Sequence, residues 1–221
     1  MLRVKICGNR TIDDIAAAAD MGADAIGLIV GVRHRSEDAL EPAQAANLLR
    51  SVPVFVSSVL VTLFVTAEQV LQLHKVVPTS TIQLHGAIPI EDVDIIRSAL
   101  PYVPLIKVVG VTDEQAIDIA RSFETHVDAL LLDTHVGDRI GGNGTVHNWS
   151  ISRRIVAAVS KPVILAGGLS PENVNQAIEE VKPYGVDVNS GVEFPNGEKD
   201  PDRLRQFIRV AKNCSVRPRP N

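Results

Sequence analysis

A thiol and a carboxyl are the two groups in this chain best suited to moving protons: Cys7, in Arg3-Val4-Lys5-Ile6-Cys7-Gly8, and Asp133, in Leu130-Leu131-Leu132-Asp133. Such a pair suits a reaction in which one group removes a proton while the other delivers one. Taken singly, each has a plainer reading, a small buried hydrophobe for the cysteine and a helix cap or ion-pair partner for the aspartate. A second kind of chemistry lies in three glycine-bearing turns, Gly141-Gly142-Asn143-Gly144, Gly167-Gly168 and Asn189-Ser190-Gly191. Glycine lets backbone N–H groups approach an anion, and a helix N-terminus adds favourable partial charge. One Gly-Gly pair usually means only a tight turn, but three such turns together imply a phosphate cup, bound through backbone because none contains Lys or Arg.

Other chemistries find no motif. The six histidines, His34, His74, His85, His126, His135 and His147, form no HExxH pattern and there is no paired-cysteine spacing, so no metal site is expected and most are read as surface residues. There is no G-x-S-x-G elbow and no Walker sequence. His85, in Gln83-Leu84-His85-Gly86, is either a site residue or a cap of its own loop.

These groups must be carried by regular elements. Eight runs rich in β-branched residues read as strands: Arg3–Cys7, Ala25–Val30, Val54–Leu60, Thr81–Leu84, Leu105–Val109, Ala129–Asp133, Val163–Ala166 and Gly185–Val188. Helix-start signals recur between them. Thr11 precedes Ile12-Asp13-Asp14, Thr66 to Gln69 and Thr112 to Gln115 fit the capping box, and Ser170-Pro171 places proline at a first helical position. Strand and helix alternating eight times predict a single-domain (β/α)8 TIM barrel over residues 1–213, followed by a polar tail at 214–221 that contains Cys214. A doubly wound sheet would want GxGxxG after the first strand, where only Gly8 stands. In a barrel, Cys7, Asp133 and all three glycine turns fall at the C-terminal ends of strands, on one rim.

Composition narrows the partners. With 22 Lys+Arg against 26 Asp+Glu in 221 residues, the formal charge is -4, which cannot supply a basic face for duplex phosphates, so no nucleic acid partner is expected. The run Val52 to Val65, broken by Pro53, Ser57, Ser58 and Thr62, is too short to span a bilayer, so no membrane is expected either. Two cysteines and no secretory leader point to the reducing cytoplasm, with both thiols free.

The combination Lys5-Ile6-Cys7-Gly8, Gln83-Leu84-His85-Gly86, Leu131-Leu132-Asp133-Thr134, the run at Gly141, Leu165-Ala166-Gly167-Gly168-Leu169 with Asn173, and Gly185-Val186-Asp187-Val188-Asn189-Ser190-Gly191-Val192-Glu193 resembles the phosphoribosylanthranilate isomerase family of tryptophan biosynthesis. That resemblance implies the Amadori rearrangement of a small phosphorylated aminosugar, without a cofactor. It implies Asp133 as general acid and Cys7 as general base, Asp187 near the anthranilate ring, and the glycine turns (Gly142, Gly144, Gly167, Gly168, Asn189, Ser190 and Gly191) around the phosphate. The thiol must react as thiolate, of which an ordinary cysteine holds only a few per cent at neutral pH, so the site has to activate it. The family's Ser-Pro-Arg after the second strand is missing; the stretch Gly31 to Asp38 makes Arg35 the first choice and Arg33 the second for the anthranilate carboxylate. Asn189 stands where serine is usual, and His147-Asn148 replace Phe-Asp before Trp149, with Asn148 still able to cap a helix. Two alternatives are an isomerase of the histidine-pathway aminoaldose phosphate, alone or with dual specificity, and a non-catalytic phosphate-binding barrel. The first typically has aspartate in place of Cys7, and the second needs neither acid nor base. Monomer and homodimer are both compatible with the sequence.

Overall fold

A computed structural model of the chain describes residues 2–32, 38–136, 139–140 and 146–214. Eight parallel strands, β1 (Arg3–Ile6), β2 (Ala25–Val30), β3 (Ser57–Thr62), β4 (Thr81–Leu84), β5 (Leu105–Val111), β6 (Ala129–Val136), β7 (Val163–Leu165) and β8 (Gly185–Val188), pair in chain order, and β1 pairs with both β2 and β8 to close the barrel. The helices are α1 (Ile12–Asp20), α2 (Pro42–Leu49), α3 (Ala67–Val76), α4 (Ile90–Ala99), α5 (Gln115–Phe123), α6 (Trp149–Ala158), α7 (Val174–Val181) and α8 (Pro201–Asn213). Two short additions lengthen the loops at the mouth: Ala39–Leu40 pairs parallel to the end of β2, and Arg139–Ile140 pairs antiparallel to the end of β6.

Successive strand residues point to opposite faces. Val4, Ile6, Ile26, Leu28, Leu60, Ile82, Leu84, Leu130 and Leu132 point outward and share one core with helix residues such as Ile15, Val70, Ile96, Ile155 and Phe207. The other parity fills the barrel with Ile106, Val108, Leu131 and Ala166 on one side and Cys7, Val59 and Val61 on the other. Both faces are therefore buried, which is why the strands read as continuous apolar runs. Lys5, Gln83, Asp133 and Asp187 interrupt that pattern as buried polar side chains.

Several sequence expectations change. Residues before Ser57 form a turn, with Val56 N–H donating to Pro53 carbonyl and Phe55 at φ 73, exposed; apolar composition alone had extended that strand back to Val54. Helix α5 begins at Gln115, whose N–H is taken by Asp113 instead of Thr112. A turn over Pro171 to Asn173 precedes α7, so proline does not open it. The hydroxyls of Thr11 and Thr66 and the side chain of Asn148 do cap α1, α3 and α6. Cys214, assigned to the tail, packs partly buried against the main core at the end of α8. Among the described histidines, His74 is buried and bonded to the Thr79 carbonyl, His85 and His147 are half-buried, and His126 sits half-buried at the surface beside Asp94, so one of these four is a surface group; His34 and the side chain of His135 lie outside the described residues.

Below the strands, Asp24 joins the first and last elements. Its carboxylate accepts from the Val4 N–H at 2.7 Å, from Arg3 at 3.0 Å and from Lys212 of α8, and these bonds hold its pKa below the ordinary aspartate value despite partial burial. Asp24→Asn should cost about 1–3 kcal/mol in urea unfolding at neutral pH. Because the folded carboxyl has the lower pKa, its contribution is complete above the unfolded value and disappears as pH falls through the folded one. Variant and parent curves should converge in acid; an equal difference at pH 7 and pH 3 would exclude the ion-pair origin.

Candidate active site

Inward-facing positions bring the polar groups together at the C-terminal end of the barrel. Lys5 pairs in register with Asp187, and its Nζ lies 2.8 Å from Asp187 Oδ2, both side chains almost wholly buried. Cys7 follows β1, held by its N–H to the Val188 carbonyl at 2.9 Å. Gln83 and His85 share the same face of β4, with Gln83 Nε2 and His85 Nδ1 3.5 Å apart. Asp133 projects from β6, and its Oδ2 is 3.7 Å from His85 Nε2. Asp187 Oδ1 has no hydrogen-bond partner among the described residues.

The environment favours neutral Asp133 and neutral Cys7. Burial pushes the Asp133 carboxyl up to about 7 against the pull of the Thr134 N–H, with the negative charge of Asp187 acting in the same direction as burial. Its Oδ1 accepts that N–H at 2.7 Å, so the acidic proton resides on Oδ2, the oxygen facing His85. Burial also pushes the Cys7 thiol up, while Lys5 and, more weakly, Lys199 draw it back toward thiolate. Burial disfavours the lysine ammonium, but the Asp187 carboxylate, joined by Cys7 whenever that is thiolate, raises its pKa above the ordinary lysine value.

Glycine at two of the turns is a steric requirement. Gly167 has φ +80, and a Cβ there would stand 2.3 Å from Thr134 Oγ1, 2.5 Å from Thr134 N and 2.9 Å from Asp133 Oδ1. A Cβ on Gly191 would stand 1.8 Å from the Leu169 carbonyl, so the turns after β7 and β8 are in contact. Gly168 has φ +67, and its carbonyl accepts from Asn173 Nδ2. Ser190 begins a short 3-10 turn, Ser190–Val192. The third turn, with Gly142 and Gly144, and both arginine candidates, Arg33 and Arg35, lie outside the described residues.

Asn189 is engaged differently from the expectation. Its amide nitrogen donates to Asp38 Oδ2 at 2.8 Å, and its Oδ1 accepts from Lys199 Nζ at 2.8 Å, which leaves its backbone as the part available to an anion. Lys199 also meets Glu193 at 2.6 Å. His147 bridges Thr134 Oγ1 at 3.1 Å to the buried Ser152 Oγ at 2.6 Å, and burial lowers its pKa to about 4, so it is neutral. Lys5 was legible as the residue two before Cys7 on one strand face; Lys199, Asp38 and His147 reach the site only through tertiary contacts. Among the described residues no His/Cys/Asp/Glu cluster is arranged to hold a metal, and no helix is long and apolar enough to cross a membrane.

Residues 4–210 match the family described as N-(5'-phosphoribosyl)anthranilate (PRA) isomerase. The chain is 42% identical over 214 residues to N-(5'-phosphoribosyl)anthranilate isomerase 2 of Methanosarcina mazei, covering 96% of this chain and 95% of that protein. It is 44% identical over 208 residues to the isomerase of Methanocella arvoryzae, with 94% and 97% covered. Among solved structures, phosphoribosyl anthranilate isomerase from Thermotoga maritima superposes with a TM-score of 0.83 at 35% identity, over 96% of this chain and 99% of that one. A phosphoribosyl anthranilate isomerase in complex with reduced 1-(o-carboxyphenylamino)-1-deoxyribulose 5-phosphate gives 0.82 at 34% identity, with 96% and 99% covered.

The crowding around Gly167 makes a measurable demand. Left-handed backbone alone costs an alanine about 1–2 kcal/mol, and the backbone nitrogen of Thr134 cannot swing aside as a side chain would. Gly167→Ala should therefore lose more than that in urea denaturation; a loss of 1 kcal/mol or less would mean that the β6 and β7 ends separate easily.

Proposed function

Because the chain belongs to the N-(5'-phosphoribosyl)anthranilate isomerase family, we propose that Asp133 is the general acid and Cys7 the general base of the family's reaction. The enzyme catalyses the Amadori rearrangement of N-(5-phosphoribosyl)anthranilate to 1-(2-carboxyphenylamino)-1-deoxyribulose 5-phosphate in tryptophan biosynthesis. Asp133 Oδ2 gives its proton to the furanose ring oxygen as the bond from that oxygen to C1 breaks, leaving a protonated Schiff base at C1. Cys7 thiolate then removes the C2 proton, and the electrons of that bond neutralise the iminium nitrogen. The enol-amine so formed ketonises to the product.

The observation that carries this assignment is the state of Asp133: buried, pinned through Oδ1 by the Thr134 N–H, and titrating at about 7, so that a carboxylic acid persists where most aspartates are ionised. The substrate phosphate is assigned to backbone N–H groups of Gly142, Gly144, Gly167, Gly168, Asn189, Ser190 and Gly191. Asp187 and His85 line the anthranilate side, and Arg35, with Arg33 next, reads the carboxylate, because a phosphate cup alone cannot tell anthranilate from another amine. All of these groups belong to one chain, so a monomer and a homodimer each carry a complete site. The catalytic unit is assigned to residues 1–213, with a polar tail after it, in the cytoplasm.

Cys7→Ala and Asp133→Asn should each lower kcat by at least about 100-fold with little change in KM; near-normal turnover removes the residue from the mechanism. The active form needs Asp133 protonated and Cys7 ionised, yet burial pushes the thiol up from an already higher ordinary value than that of the carboxyl, so that form is a minority at any pH. The rate should climb to a plateau near pH 7, where Asp133 titrates, and fall only in alkali as Cys7 titrates. Residual activity of Asp133→Asn should keep climbing through pH 7; a surviving break there assigns it to another group.

Arg35→Ala should weaken a carboxylated product analogue by roughly 10- to 150-fold and leave an analogue without the carboxylate unaffected. Equal losses for the two would deny Arg35 that role.

A further inference from the structure

A buried ion pair is a poor way to stabilise a fold, since desolvation offsets most of the attraction and apolar side chains of similar size pack as well. The pair formed by Lys5 and Asp187 is nonetheless placed inside the barrel, in a cavity otherwise filled by residues such as Val59, Val61 and Leu131. Its surroundings suggest what it is for. Lys5 and Cys7 alternate on the inner face of one strand, and both converge on Gly27 of the neighbouring β2. A Cβ on Gly27 would stand 2.9 Å from Cys7 Sγ and 3.1 Å from Lys5 Nζ, so the missing side chain is the space in which sulfur and ammonium approach each other. Asp187 Oδ2 fixes the lysine from the other side at 2.8 Å, preventing it from turning toward solvent.

We propose that Lys5 is a positioning residue that holds its ammonium beside Cys7 and makes the cysteine available as thiolate inside the closed barrel, with Asp187 as its anchor and Gly27 as the required gap. This rests on Cys7 being the general base. When the Sγ proton leaves for solvent, the negative charge left on sulfur meets the positive charge of Lys5. The other ionisable groups around the sulfur are Asp187, which opposes its ionisation, and Lys199, which favours it more weakly from the segment before α8. Asp133 supplies no opposing charge while it carries its proton. The thiolate, once formed, also has a buried counterion that no solvent rearrangement has to provide.

The test measures the thiol itself, in the free enzyme with Cys214→Ser so that Cys7 is the one cysteine. Thiolate absorbance and the rate of alkylation by iodoacetamide are followed against pH. Lys5→Met should move the titration of Cys7 upward and slow alkylation at pH 7 by about 10-fold or more. Lys5→Gln, which keeps a hydrogen bond to Asp187 without the charge, should do the same and provides the readout should the methionine variant fail to fold. The double variant Lys5→Met/Asp187→Asn also removes the carboxylate that a lost lysine would strand. Slow alkylation in the double variant supports a direct action of Lys5 on sulfur. Full recovery there, or an unchanged titration in Lys5→Gln, overturns the proposal. Turnover of Cys7→Ala decides the separate matter of whether Cys7 is the base: a thiol that responds to Lys5 but is dispensable for turnover would sink that reading and leave the electrostatic pairing standing.

Discussion

Closure of a parallel sheet on itself gives every strand two buried faces, and the rest of this molecule depends on how that constraint is met. Outward positions can be mostly apolar because helices cover them, with Thr62, Lys107 and Thr134 as buried polar exceptions. Inward positions have no helices to face, only one another, and the space near the mouth is where the chain places Lys5, Cys7, Gln83, Asp133 and Asp187. Polar side chains there are costly unless each finds a partner. The partners they find, lysine with aspartate and carboxyl with a backbone N–H, fix the geometry of the reacting groups as a by-product of satisfying them.

The same economy governs charge. A low-dielectric interior penalises net charge far more than it penalises an exchange of protons. Lys5 and Asp187 cancel each other, while Asp133 and Cys7 are both pushed toward their neutral forms by burial. A reaction that takes a proton from the carboxyl and returns one to the thiol alters the total charge of these two groups by nothing over a cycle. Asp133 thus suits acid chemistry near neutrality because of where the strand places it, and Thr134 decides which oxygen carries the proton. His147 extends the arrangement outward: as a neutral ring between Thr134 and Ser152, it ties the end of β6 to α6.

Most of the architecture was legible because strands buried on both faces are long apolar runs and helix starts carry their own polar chemistry. The errors have local causes. Val54 and Phe55 have strand composition but sit in a turn after Pro53, which hydropathy does not register. Thr112 and Pro171 carry start signals that nearby side chains displaced, Asp113 in one case and the turn ending at Asn173 in the other. At the site, Cys7 and Asp133 stood out from their strand-end positions and Asp187 only through the family resemblance, and all three lie at one end of the barrel. Lys5 was equally visible in the alternation that places it on the face of Cys7, but its meaning depends on Asp187, 182 residues away. The engagement of Asn189 with Asp38 and Lys199 had no sequence signal, since one asparagine in a loop looks like any other.

Polar contacts at both ends of the barrel share a property of sequence distance. At the mouth Lys5 meets Asp187 across 182 positions and Asn189 meets Asp38 across 151, and below the strands Lys212 meets Asp24 across 188. None can form until the last strand arrives, and contacts of such separation come late because their loop-closure entropy is repaid only at the end. A chain that has folded through β7 alone holds Lys5 in an open interior without its carboxylate, and Asp38 without its tether. Arrival of β8 seals the sheet and neutralises that lysine in one event. The catalytic electrostatics are therefore assembled only when β8 is in place, and a barrel lacking that strand holds Lys5 without Asp187.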